Sequence, residues 1–166
     1  VEPRLYDRVL TVNGVSKAWA MTGWRLGFCG GPAALIKVIS NVNTQNGGGV
    51  ATLAQAASVA VLDGPQDLLK ERAAIYRQRR DVVLEQLAMI PGLRCHKPQG
   101  AFYLFVNIAD FIGKTSAGGR VINSDADFVM ALIEEQHVVT VQGAAYGMSP
   151  YIRLSYATSL ERLQTG

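Results

Sequence analysis

The sequence predicts an α/β domain followed by an α+β domain. Three observations carry that reading. Up to residue 62, short β-branched and aliphatic runs alternate with segments of helical period. One long helical stretch follows, over residues 65–89. After Pro91-Gly92 the texture changes to short strands around a single helix.

The first element is a strand over residues 9–12, which runs into a loop at Asn13-Gly14. A second strand covers residues 24–28. Its alternation sets Trp24, Leu26 and Phe28 on one face, and Arg25, Gly27 and Cys29 on the other. Gly30-Gly31-Pro32 turns the chain, and Pro32 suits the first position of a helix over 32–41. The run Asn-Thr-Gln-Asn-Gly-Gly-Gly from Asn43 breaks the pattern before an alanine-rich helix at 50–62. Asp63-Gly64-Pro65 ends that helix and opens the long one, where Leu69, Ala73, Tyr76, Val83 and Leu87 recur near the helical repeat. At about 1.5 Å per residue the long helix spans roughly 36 Å, enough to link two domains. Next come a strand at 101–107, a glycine-containing loop at 111–123, and a helix capped by Ser124 that runs to Gln136. Strands at 137–141 and 151–156 follow, and a further helix begins near Ser159. The change of domain falls in the long helix, near Arg80. Residues 1–89, that helix included, are assigned to the first domain and 90–166 to the second.

Composition narrows the function classes. The chain has 166 residues, 49% of them apolar and 17% charged, with a net charge of +3. That is a globular balance with no excess of basic charge, so nucleic acid and membrane surfaces are not expected partners. Nothing approaches the ~20 apolar residues of a membrane span, no leader peptide is visible, and the cytoplasm is the expected location. Cys29 and Cys95 stand far apart, without metal-ligand spacing, and read as buried free thiols. His96 and His137 likewise lack partners at metal or triad spacing, and no metal is expected. Arg72, Arg77, Arg79 and Arg80 read as a solvated face of the long helix. The chain opens without Met and stops just after a helix begins, so both ends read as cuts through a longer protein.

Three cations carry the chemistry. Lys17 follows a strand end and the small residues Gly14-Val15-Ser16, which let a ligand approach the backbone. A lysine desolvated in such a place is a nucleophile, although most loop lysines are simply solvated. Arg25, on the strand face it shares with Gly27, has open space beside it and the bidentate fork that suits a phosphate. Its bland alternative is a structural ion pair. Arg153, on the strand at 151–156, points with Tyr151 and Ser155, and again either binds an anion or makes a salt bridge.

Gly14-Val15-Ser16-Lys17 with Gly23-Trp24-Arg25-Leu26-Gly27 resembles the pyridoxal-phosphate lysine signature of the class I aminotransferases, of PLP fold type I. Pro98-Gln99-Gly100-Ala101-Phe102-Tyr103 and Tyr151-Ile152-Arg153-Leu154-Ser155-Tyr156-Ala157 resemble later segments of the same family, in the same order. The likeness covers nearly the whole chain and points to the bacterial aspartate aminotransferases. It implies the C-terminal part of a PLP-dependent transferase fold: part of the large α/β domain plus most of the small α+β domain. It implies pyridoxal 5'-phosphate as cofactor, held by Lys17 as a Schiff base, with Lys17 later the base of the proton shift. It implies that Arg25 and Ser16 bind the cofactor phosphate and that Arg153 clamps the substrate α-carboxylate. The partners would be an amino acid, aspartate or glutamate, and a 2-oxo acid, and the assembly a homodimer. The family's partner for the cofactor's ring nitrogen lies upstream of this sequence, so the chain alone is expected to be inactive.

The sequence departs from the family at three places. Gly14 stands where many members have serine, which leaves Ser16 or backbone amides for the phosphate. Asn46-Gly47-Gly48-Gly49 replaces a stretch that reaches the neighbouring subunit. Gln142-Gly143 replaces Pro-Gly, which gives the loop at 143–147 more freedom. Two other functions fit the same resemblance: a PLP-binding regulatory domain without turnover, and another fold type I PLP enzyme such as a lyase.

Overall fold

Two sheets organise the chain: a two-stranded ladder near its start, and a four-stranded sheet beyond residue 93. The computed structural model describes residues 2–165. Two compact units part between Glu71 and Arg72. That break lies inside the long helix, earlier than the division at 89/90 drawn from the texture of the sequence. Most of the helix belongs with the second unit because its inward face, Val83 above all, packs into that unit's core.

In the first unit β1 (Thr11–Gly14) pairs antiparallel with β2 (Gly27–Gly30), from Thr11↔Gly30 to Gly14↔Gly27. Both strands lie two or three residues beyond their predicted positions. Asn13-Gly14 does not leave the ladder, because the Asn13 side chain accepts from the Gly14 N–H at 2.7 Å while both residues stay paired. The strand at 24–28 is corrected more sharply. Thr22–Trp24 is a 3₁₀ turn, and Arg25 has φ 52°, ψ 45°, a left-handed conformation that no strand accommodates. The alternation of Trp24, Leu26 and Phe28 therefore spans a turn and a strand start, and the strand-face argument for Arg25 fails. The ladder closes at two glycines. A Cβ on Gly14 would lie 3.2 Å from the Leu26 carbonyl oxygen, and one on Gly27 3.3 Å from that of Asn13.

Helix α1 (Ala33–Asn46) starts after Pro32, which is its N-cap and not its first residue. It runs five residues past the predicted end. Asn, Thr and Gln cost only tenths of a kcal/mol each in a helix, and the Thr44 hydroxyl returns to the Ser40 carbonyl at 2.9 Å. The stop comes at Gly47. Helix α2 (Thr52–Asp63) follows, and the Gln66 side-chain amide donates to the carbonyls of Val61 and Gly64 at 2.9 and 2.7 Å, satisfying groups at its C-terminal end. Helix α3 (Asp67–Ala88) has 22 residues, about 33 Å of helix.

The second unit is an antiparallel sheet ordered β3 (Arg94–Cys95), β4 (Tyr103–Asn107), β6 (Tyr151–Ser155), β5 (Val141–Gln142). Burial alternates strictly along β4. Leu104, Val106 and Ile152 face a core with Val83, Ile108, Val129 and Tyr156, while Tyr103, Phe105 and Arg153 occupy the other face. Tyr156 is held at both ends: its N–H donates to Phe102 and its hydroxyl to the Ala101 carbonyl, each at 3.0 Å. Helix α4 (Asp125–Gln136) is capped by Ser124 as expected, with the hydroxyl accepting from the Asp127 N–H at 3.2 Å. The strand predicted at 137–141 shrinks to Val141–Gln142, because His137 takes φ 58° as the C-cap of α4 and turns the chain before it can pair. Helix α5 (Leu160–Thr165) ends the described chain.

The arginine face of α3 is only partly solvated. Arg80 has a side chain just 12% exposed; it donates to Asp81 at 2.9 Å and to the Pro98 carbonyl at 3.0 Å. Arg79 lies over the Tyr76 ring. Cys29 and Cys95 are free but half-buried. His96 and His137 are exposed, and no cluster able to hold a metal occurs among the described residues. Among the described residues no helix is long and apolar enough to cross a membrane.

Candidate active site

Residues 15–26 connect β1 to β2, and the Gly14↔Gly27 pair brings the two ends of that connection together. Ser16 and Lys17 leave one end and Arg25 enters the other, so all three lie within three residues of the paired glycines. Val15, wholly buried, and Met21, at 8% exposure, anchor the connection from inside. A turn follows Val15, with the Ala20 N–H donating to the Lys17 carbonyl at 3.2 Å.

Two non-glycine residues in this short connection hold left-handed backbone, Ala20 at φ 56° and Arg25 at φ 52°. Each such conformation costs on the order of 1 kcal/mol or more and persists where the surroundings over-determine it, commonly at ligand sites. At Arg25 the guanidinium closes its own turn, donating to the Thr22 carbonyl at 3.1 Å. Among the described residues no carboxylate pairs with Arg25, so the structural ion pair weighed for it is not formed there. Lys17 is exposed, not desolvated, in this chain. Ser16 is half-buried beside it.

Arg153 lies in the second unit, on the sheet face away from the core. It is half-buried, and among the described residues it makes neither an ion pair nor a side-chain hydrogen bond. Its guanidinium carbon lies 4.3 Å from the Tyr103 ring centroid and 4.7 Å from that of Tyr146. Tyr103 could have been found from the sequence, since the period-2 alternation of β4 puts it with Phe105 on the outer face. Tyr146 could not, because its position depends on a turn between strands.

The strongest carboxylate shift lies away from these residues. Hydrogen bonds from Arg80 and Lys97 hold the Asp81 carboxyl down at about 2, and burial pushes the Tyr156 phenol up. Both groups belong to the framework around α3.

An amine, a hydroxyl and two guanidiniums are the donor types that bind small anions. The chain belongs to the aminotransferase class I and II family, which it matches over residues 1–165. Members of that family depend on pyridoxal 5'-phosphate. The chain is 51% identical over 164 residues to an aspartate aminotransferase of Rhizobium meliloti, covering 99% of this chain and 40% of the relative. It is 46% identical to an aspartate/prephenate aminotransferase of Cereibacter sphaeroides, over 99% of this chain and 41% of that one. The crystal structure of the Rhizobium meliloti aspartate aminotransferase superposes with a TM-score of 0.93 at 50% identity, over 98% of this chain and 41% of that chain. A mutant of the Thermus thermophilus aspartate aminotransferase does so at 0.83 and 34%, over 96% and 42%. The fold is therefore part of an α/β PLP-dependent transferase. The chain spans about two fifths of the length of the curated relatives it matches.

Proposed function

We propose that the complete protein is a PLP-dependent aminotransferase that moves an amino group between an amino acid, aspartate or glutamate, and a 2-oxo acid. What supports this reading is the connection between β1 and β2, whose paired ends Gly14 and Gly27 flank Ser16, Lys17 and Arg25 in the family's order. The donor set fits the cofactor: an amine for its aldehyde, and a guanidinium and a hydroxyl for its phosphate. Bound there, the cofactor supplies the electron sink that lets a Cα proton leave.

The remaining work falls to the chain. Arg25 meets the phosphate dianion with a planar fork whose charge never titrates, and Ser16 donates its hydroxyl to the same group. Lys17 holds the cofactor through its Nζ, and its amine carries the proton to and from the substrate Cα, a positioned transfer worth about 10²–10⁴ in rate. Arg153 takes the α-carboxylate as a bidentate pair. Residues 1–89 contribute to a large cofactor-binding domain and residues 90–166 to a small one. The enzyme works in the cytoplasm as a homodimer. Relatives named aspartate/prephenate aminotransferases support prephenate as a further oxo acid for the same site.

The test is borohydride reduction of the complete gene product loaded with PLP, followed by peptide mapping, alongside an assay of aspartate with 2-oxoglutarate and with prephenate. The label is expected on Lys17 together with turnover. Label on another lysine, with Lys17 unmodified, overturns the site. PLP binding without turnover favours a regulatory domain.

A further inference from the structure

We propose that Tyr103 and Tyr146 are positioning residues that aim the Arg153 guanidinium at a carboxylate, and that Asp125 pins the turn that carries Tyr146. The proposal rests on Arg153 being the carboxylate clamp.

A long side chain on an open sheet face samples many rotamers, and fixing them costs on the order of 1 kcal/mol or more each time a ligand binds. Here that ordering is done beforehand. The Arg153 guanidinium carbon sits over both tyrosine rings, at 4.3 and 4.7 Å from their centroids. An aromatic ring attracts a guanidinium through its face, whereas all five N–H donors of arginine lie in the guanidinium plane. Contact with the ring faces therefore restrains the side chain with no acceptor among the described residues competing for the donors that a carboxylate needs. An ion pair would restrain it too, but would compete with the substrate.

The rings are themselves fixed. Tyr103 is on β4, two residues from Phe105, the cross-strand partner of Arg153. Tyr146 meets Phe105 edge-to-face, with centroids 5.6 Å apart. It ends the 3₁₀ turn Gly143–Tyr146, which is braced three ways. The Gly147 N–H donates to Ala144 at 3.0 Å and the Met148 N–H to Gly143 at 2.9 Å. The Asp125 carboxylate, on a residue 2% exposed at the start of α4, accepts from the Ala144 N–H at 2.7 Å. Gly143 lies so close to the following chain that an added Cβ would run into the Met148 carbonyl and sit 2.6 Å from that of Tyr151. Gln142 enters the turn at φ −60°, the value a proline ring would impose, so the missing proline leaves the entry geometry intact. The path runs from Asp125 through the Ala144 amide to Tyr146, and from there to Arg153.

The test uses the complete gene product loaded with PLP, and maleate as a non-reacting dicarboxylate probe read by calorimetry. Cation–π contacts of this strength correspond to about a threefold to thirtyfold effect on binding. Tyr146→Leu is expected to weaken maleate, and to raise KM for aspartate, by about tenfold, with a smaller change in kcat. Tyr146→Phe, which keeps the ring, restores most of the lost affinity. In an Arg153→Ala background, Tyr146→Leu has no further effect. Where Tyr146→Leu does not fold, Tyr103→Leu carries the same comparison. If maleate binds the leucine variants as it binds wild type while Arg153→Ala loses it, the positioning role is overturned and the clamp stands. If the leucine variants lose the same affinity with and without Arg153, the rings act elsewhere and the proposal fails. If Arg153→Ala itself keeps full affinity, the clamp fails and the proposal with it.

Discussion

The two units of this chain are built on opposite plans. From Arg72 onward a continuous core joins α3, the sheet and α4, and Leu104, Val106 and Ile108 have no exposure at all. Up to Glu71 the buried apolar residues are Val15, Met21 and Ala54, while Leu35, Val38 and Val42 on α1 and Leu53 and Val59 on α2 stand open. Yet the first unit presents three of the four candidate site residues, in a connection with two strained backbone positions. Taken alone, this chain spans about two fifths of the length of its relatives, and within it the segment that carries three candidate residues buries few apolar side chains of its own.

The largest expected effect lies in the first unit and concerns activity. In the complete protein Lys17→Ala should abolish transamination, a loss of several orders of magnitude, and should leave a cooperative thermal unfolding midpoint in the protein without cofactor. Loss of that cooperative transition would give Lys17 a structural job and break the contrast.

The second unit should answer in the other currency. Leu104→Ala opens a cavity in a fully buried site and should cost about 2–5 kcal/mol in denaturant unfolding. Val38→Ala, at a position 58% exposed, should stay within about 0.5 kcal/mol in the 166-residue chain. Equal costs would mean that the two units do not differ as their burial says.

A smaller effect depends on pH. Asp81 titrates at about 2, held down by Arg80 and Lys97. A depressed carboxyl stabilises the folded chain above its unfolded value of about 3.9 and loses that contribution as the pH falls through its folded value. Asp81→Asn should therefore be less stable than wild type at neutral pH, and the two melting curves should converge towards pH 2. A gap that persists at low pH would assign the difference to packing.

These contrasts also explain what could be read in the sequence. Helix α4 was legible to its cap because Ser124 and Asp127 act within one turn. The alternation in β4 was legible because one of its faces meets a core. Less was legible in the first unit, where little packing selects a face. There the apolar spacing of Trp24, Leu26 and Phe28 suggested a strand, while local backbone geometry at Arg25 made a turn. His137 repeats the lesson, since a left-handed cap leaves no trace in hydrophobic pattern. Lys17, Arg25, Ser16 and Arg153 came from recognisable local segments. The tyrosine pair at Arg153 needed tertiary structure.

Gly143 has a consequence for how this protein can drift. Loops ordinarily absorb substitutions, and residues 144–149 are exposed enough to do so. Gly143 has no such latitude, because two carbonyl groups occupy the space where any side chain would begin. In a saturation scan of the segment, the columns at 144, 145, 148 and 149 should be broadly permissive, those at Tyr146 and Gly147 restricted by the Arg153 contact and by a φ of 68°, and the column at 143 blank. Two backbone contacts would then limit divergence here more tightly than the charge or polarity of the residues around it.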